Sequence, residues 1–157
     1  MKVVIVCTSV SHGNTQRVAE AVGRVLDARV VAPGEIGPAE LAAYDLVGFA
    51  SGIFTMDFHP DLRRFVAALP NGQRGKAFVL CTSGFPEPPF RRYVRTFTRT
   101  LERKGFEVTD AFHCRGFDTW LPLRVVGGVS KGHPDPADIA AAVAFAEELR
   151  ARTAPRP

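Results

Sequence analysis

An unbroken apolar run, Val3-Val4-Ile5-Val6-Cys7, ends in the small polar stretch Thr8-Ser9-Val10-Ser11-His12-Gly13-Asn14-Thr15. A helical pattern begins directly after it. Val18, Ala19, Val22, Val25 and Leu26 fall on one face at 3.6-residue spacing. Strand, short loop, helix is the geometry of an anion site. The first amides of a helix have no carbonyl one turn back, and the helix dipole adds partial positive charge there. A phosphate at that point accepts from main-chain N–H groups and from hydroxyls such as those of Ser9, Ser11 and Thr15. Gly13 lets the backbone approach closely or take a positive φ.

The loop has no lysine or arginine, and GxxxxGK[ST] and GxGxxG are both absent. That disfavours a nucleoside triphosphate or a dinucleotide and leaves a single phosphate held mostly by dipoles. A plain strand-to-helix turn capped by Ser11 or Asn14 is the competing reading.

Two further loops follow apolar runs. Val47-Gly48-Phe49-Ala50 leads into Ser51-Gly52-Ile53-Phe54, and Cys81-Thr82 leads into Ser83-Gly84-Phe85. With Ser9 to Thr15, these three loops resemble, in order, the phosphate loop and the two flavin loops of the flavodoxin family. Gly116-Phe117-Asp118-Thr119 through Lys131-Gly132-His133-Pro134 is similar to a segment typical of one flavodoxin-like subfamily. The resemblance implies a three-layer α/β fold: a doubly wound, five-stranded parallel sheet of order 2-1-3-4-5. It also implies FMN as cofactor. The binding residues are then Ser9, Val10, Ser11, His12, Gly13, Asn14 and Thr15, Ser51, Gly52, Ile53 and Phe54, and Thr82, Ser83, Gly84 and Phe85. His12 stands where the family often has threonine.

At 157 residues the chain reads as one domain, spanning 1–152 with a disordered tail at 153–157. It is 46% hydrophobic and 23% charged, ordinary for a globular protein, and needs no disulfide or metal to fold. No apolar run is long enough to span a bilayer, and no cleavable leader is evident, so a cytoplasmic location without membrane insertion is expected. The three cysteines, Cys7, Cys81 and Cys114, form no CxxC and lie in apolar runs, as buried inert thiols do. The net charge of +4 is unusual beside the commonly acidic family.

Strands are expected near 2–7, 29–32, 46–50, 77–82 and 107–114. Helices are expected near 14–27, 59–69, 87–104 and 136–152, with a shorter one near 38–44. The near-continuous apolar strands suit a parallel sheet covered on both faces, and the alternation with helices implies double winding. Asp135-Pro136 reads as a helix start. Ala140, Val143, Ala144, Ala146 and Leu149 mark the apolar face of that helix. In 87–104, Arg92, Arg95, Arg99 and Arg103 form one stripe and Phe90, Val94, Phe97 and Leu101 the opposing one. The arginines are either a solvated face or a dock for an acidic partner.

In such sheets ligands bind beyond the C-terminal strand ends at the switch point, where the three loops would meet. Phe54, Phe58, Phe85 and Phe90 are the aromatics available to flank a planar ring. The second loop has no glycine after Gly52, so a positive φ costs more at Thr55 or Met56 than at glycine, Asp57 tolerating it somewhat better. No Ser-His-Asp or Cys-His signature is present, and of the four histidines only His12 is expected to touch a ligand. The leading expectation is an electron-transfer protein working between a reductase and an acceptor enzyme, a monomer or weak dimer that does not bind nucleic acid. The alternatives are an FMN-dependent oxidoreductase acting on a quinone, a porphyrinogen or NAD(P)H, and a flavin-free binding module. Trp120 and the long segment 115–133 are open between a structural excursion and a partner surface or lid.

Overall fold

The computed structural model describes residues 1–10, 12–116, 128 and 130–154. The central sheet consists of β1 (Val3–Thr8), β2 (Ala28–Val31), β3 (Leu46–Phe54), β5 (Lys76–Ser83) and β6 (Glu107–Arg115). All pairings among these are parallel, in the order β2-β1-β3-β5-β6. This is the expected 2-1-3-4-5 order, with one addition. A two-residue β4 (Asp57–Phe58) folds back antiparallel on the end of β3, pairing Ile53 with Phe58 and Phe54 with Asp57. The helices are α1 (Asn14–Leu26), α2 (Pro38–Leu41), α3 (Pro60–Ala68), α4 (Tyr93–Lys104) and α5 (Pro136–Thr153).

Successive side chains of a strand point to opposite faces, and the apolar runs therefore feed two cores. Val3, Ile5 and Cys7 pack with Val18 and Val22 of α1 and with Ala142, Ala146 and Leu149 of α5. Val4 and Val6 pack on the other side with Leu62 and Val66 of α3 and Phe97 and Leu101 of α4. Central strands buried on both faces bring every loop at their C-terminal ends to one edge, where β1 stands between β2 and β3.

Several local expectations need correction. The fourth helix begins at Tyr93 rather than near residue 87, because Pro86, Pro88 and Pro89 exclude a helical ladder there. Phe90 therefore lies outside the helix and is exposed, and Tyr93 heads the buried stripe with Phe97 and Leu101. On α5, Ala140 and Ala144 face solvent; Ala142, Ala146, Leu149 and Thr153 are buried. The helix also runs through Thr153, whose Oγ1 donates to the Leu149 carbonyl at 2.7 Å, so order extends beyond residue 152. Its start is as read. Asp135 accepts from the Asp138 N–H at 2.8 Å, and Asp138 accepts from the Asp135 N–H at 2.9 Å. Among the described residues no helix is long and apolar enough to cross a membrane.

Candidate functional site

The loop after β1 meets α1 at Gly13, which sits in the left-handed region with φ 65. Gly13 is the N-cap, and Asn14 is the first residue of the helix rather than its cap. Ser11 lies outside the described residues. His12 is also left-handed, with φ 52, and its side chain is exposed. Arg17 N–H reaches back to the Gly13 carbonyl at 3.0 Å, and Gln16 N–H donates to Ser9 Oγ at 3.3 Å. The remaining first-turn amides have no carbonyl within the helix to bond.

One cleft joins this helix start to the other two loops. Ser9, Val10, Asn14 and Thr15 line it from the first loop. Gly52, Ile53 and Phe54 line it from the end of β3, and Thr82, Ser83 and Gly84 from the end of β5. Gly116, just past β6, completes the wall. Among the described residues no lining side chain is ionisable. Sequence reasoning missed Gly116 as a site residue, since only the fold reveals its neighbour. A Cβ there would stand 2.9 Å from Asn14 Nδ2, so the bare backbone makes room for the asparagine.

Four residues expected at the site lie outside this lining. Gly13 is the N-cap of α1, and His12 directly precedes it. Ser51 is fully buried; its Oγ donates to the Gly52 carbonyl and accepts from the His59 N–H at 2.9 Å, tying β3 to the start of α3. Phe85 is exposed on the rim. Phe58 lies outside the lining too. It is a core residue stacked on Phe97 at 4.1 Å, because β4 folds it inward.

The cleft is braced from both sides. Thr15 Oγ1 and Thr82 Oγ1 are 2.8 Å apart and buried, linking the first loop to the end of β5. One hydroxyl donates to the other, which leaves the pair one hydrogen for a further acceptor. Gly116 N–H donates to the Ser83 carbonyl at 3.0 Å, and Ser130 Oγ donates to the Gly84 carbonyl at 2.8 Å. On the second loop, Thr55 and Met56 both hold positive φ, 47 and 60, despite the cost expected of non-glycine residues. The hairpin pairing of Phe54 with Asp57 compels the turn between them.

A phosphate-bearing planar ring suits these residues. The helix start supplies its dipole, and Ser9 Oγ already engages the Gln16 N–H of the first turn. Thr8 Oγ1, at the root of the loop, is buried with no hydrogen-bond partner among the described residues. Uncharged walls of Ile53, Phe54 and glycine backbone accommodate an apolar ring face.

The thiols pack into the two cores rather than lining the cleft. Burial, with a lesser push from Glu20, raises Cys7 to about 12, and burial, then Asp138 and Asp135, raises Cys114 to about 12. Burial pushes Cys81 higher still. Inert core thiols are what the sequence suggested. Tyr93, beneath the third loop, is raised to about 12 by burial, and burial lowers His113 while Glu87 opposes that. His59 caps α3, its Nδ1 accepting from the Asp61 N–H at 3.1 Å. Trp120 and most of the segment 115–133 lie outside the described residues.

A sequence model of the flavodoxin domain matches residues 5–122. A Methanocaldococcus jannaschii protein, described only as uncharacterized, is 32% identical over 95% of this chain and 98% of its own. Among solved structures, a Streptococcus pneumoniae TIGR4 flavodoxin aligns with TM-score 0.70 at 20% identity, covering 97% of this chain and 99% of that one. A flavodoxin from the domain Archaea aligns with TM-score 0.68 at 17% identity, covering 98% and 99%. An NADH:FMN oxidoreductase aligns with TM-score 0.69 at 16% identity, covering 99% and 91%. At these identities the structures speak for the fold alone.

Proposed function

The chain belongs to the flavodoxin family, and on that premise we propose that it binds FMN in the three-loop cleft and carries electrons between a reductase and an acceptor enzyme. The observation that supports this reading is the convergence of the α1 start and two uncharged loop ends on one cleft. Ser9, the Thr15–Thr82 pair and the first-turn amides would hold the phosphate. Ile53, Phe54, Ser83 and Gly84 would flank the ring. FMN, when bound, supplies the redox chemistry; the protein binds, orients and shields. Among the described residues, none of the lining side chains has an acid or base to offer a substrate, which supports a carrier over a stand-alone enzyme.

The enzyme alternative, turnover of a quinone, a porphyrinogen or NAD(P)H, has comparable footing in the fold, given the oxidoreductase likeness above. Mixing FMN-loaded protein with NADPH and a quinone separates the two. A carrier shows negligible turnover until a separate reductase is added. Sustained turnover without one contradicts the carrier reading.

A further inference from the structure

Four of the five large apolar side chains exposed among the described residues belong to the loops around the cleft: Val10 at 60%, Met56 at 45%, Phe85 at 51% and Phe90 at 78%. Val10 lines the cleft itself; Met56 and Phe85 each lie within two residues of a lining residue. Arg91 Nε donates to the Met56 carbonyl at 3.3 Å, which places the neighbouring Phe90 segment beside the second loop. An apolar cluster gathered at one mouth, where the rest of the described residues expose only Met1 in this class, marks a contact surface.

Arginines extend that rim. Arg92, Arg95, Arg99 and Arg103 are exposed and run along the outside of α4 for roughly 16 Å. They make no ion pair with any described residue. Nearby carboxylates among the described residues are already engaged: Glu87 accepts from the Val94 N–H at 2.8 Å, and Asp57 stands between Arg63 and Arg91 at 3.4 and 3.6 Å. Exposed Glu102 sits only at the far end of the helix.

The geometry points to a docking face for an acidic protein, centred on Phe85, Phe90 and Met56 and oriented by Arg92, Arg95 and Arg99. Arginine, aromatic residues and methionine are the types enriched at protein interfaces. Uncompensated charge beside the apolar centre steers encounter and fixes orientation. A single-stranded nucleic acid would use the arginines and the two phenylalanines, but Val10 and Met56 offer its bases no stacking surface. The inference deepens the electron-carrier reading by naming the partner's chemistry. It does not require the cofactor to be bound.

The test is a titration of the isotope-labelled full chain, with and without added FMN, against cytochrome b5 as an acidic protein and cytochrome c as a basic one. Amide shifts should cluster at Phe85, Phe90, Arg92 and Arg95 with cytochrome b5 only. The affinity should fall at least about tenfold as ionic strength rises from about 0.01 M to about 0.15 M, shortening the screening length from about 30 Å to about 8 Å. Arg92→Glu/Arg95→Glu/Arg99→Glu should remove that binding, and Phe90→Ala should weaken it several-fold without changing its salt dependence. Shifts elsewhere, no shifts, equal response to cytochrome c, or displacement by a single-stranded oligonucleotide would overturn the proposal. Failure to take up FMN would defeat the carrier reading and leave the docking result standing.

Discussion

Arg91 donates its Nε–H to the Met56 carbonyl and so clasps the third loop onto the second. The turn it grips is strained. Thr55 and Met56 both hold the left-handed region, a geometry that two-residue hairpins usually assign to asparagine and glycine. The left-handed region costs a non-glycine residue about 1–2 kcal/mol, more for a β-branched one, against about 0.5–1 kcal/mol of extra chain entropy for glycine. Thr55→Gly should therefore stabilise the protein by about 0.5–1 kcal/mol in urea unfolding. Arg91→Ala should cost less than about 1 kcal/mol globally, because the pair is half exposed, yet speed hydrogen exchange at residues 55–58. A destabilised Thr55→Gly, or unchanged exchange in Arg91→Ala, would contradict this account of the turn.

Gly116 yields a second expectation. An added methyl must displace the Asn14 side chain at the helix start. Gly116→Ala should leave the sheet intact by circular dichroism and weaken FMN binding about tenfold or more, equivalent to about 1.4 kcal/mol. Flavin fluorescence quenching measures it. Unaltered affinity would show that Asn14 has no part in holding the ligand.

The legible parts of this fold were those where burial dictates residue type on both sides. The runs 3–7, 46–50 and 77–82 could only be central strands, and the β1 loop followed by a helix stripe placed the cleft. Less legible was whatever depends on weak contrast or on neighbours distant in sequence. On α5, alanine suits either environment, so Ala142 could not be told from Ala140. On α4, arginine and phenylalanine periodicity ran on through Phe90 although three prolines forbid helix there. Nothing local marks β4, Ser51's inward hydroxyl or the approach of Gly116 to Asn14; each follows from strands packed side by side.

The thiols offer a direct check on the cores. A thiol raised to about 12 is ionised at pH 8 to only about one part in ten thousand, and the thiolate is the reactive form. Cys7, Cys81 and Cys114 should be silent toward a disulfide reagent in the folded protein and react fully in denaturant. Fast labelling of any one in native conditions would show its strand end to be open.

At the start of α5, His133 Nδ1 and Asp138 Oδ2 are 2.5 Å apart. Partial burial, the largest single influence on Asp138, pushes its carboxyl upward. The bonds from His133 and from the Asp135 N–H together outweigh that and hold it below the usual range. The unfolded chain therefore protonates at higher pH than the folded one. The resulting stability is present above the ordinary carboxylate value of about 4 and disappears as pH falls through the lower folded value. Asp138→Asn should cost about 1 kcal/mol at pH 6, and the gap should narrow by pH 3. A constant difference across that range would show that the charge contributes nothing.

Most directly, the account predicts how the chain discriminates FMN from riboflavin, which differ only in the phosphate. If main-chain donors and hydroxyls at the start of α1 hold that group without a salt bridge from their own loop, FMN should bind at least about a hundredfold more tightly, about 2.7 kcal/mol. Titration by fluorescence quenching reads both affinities on one sample. Equal affinities, or no binding of either, would contradict the central claim.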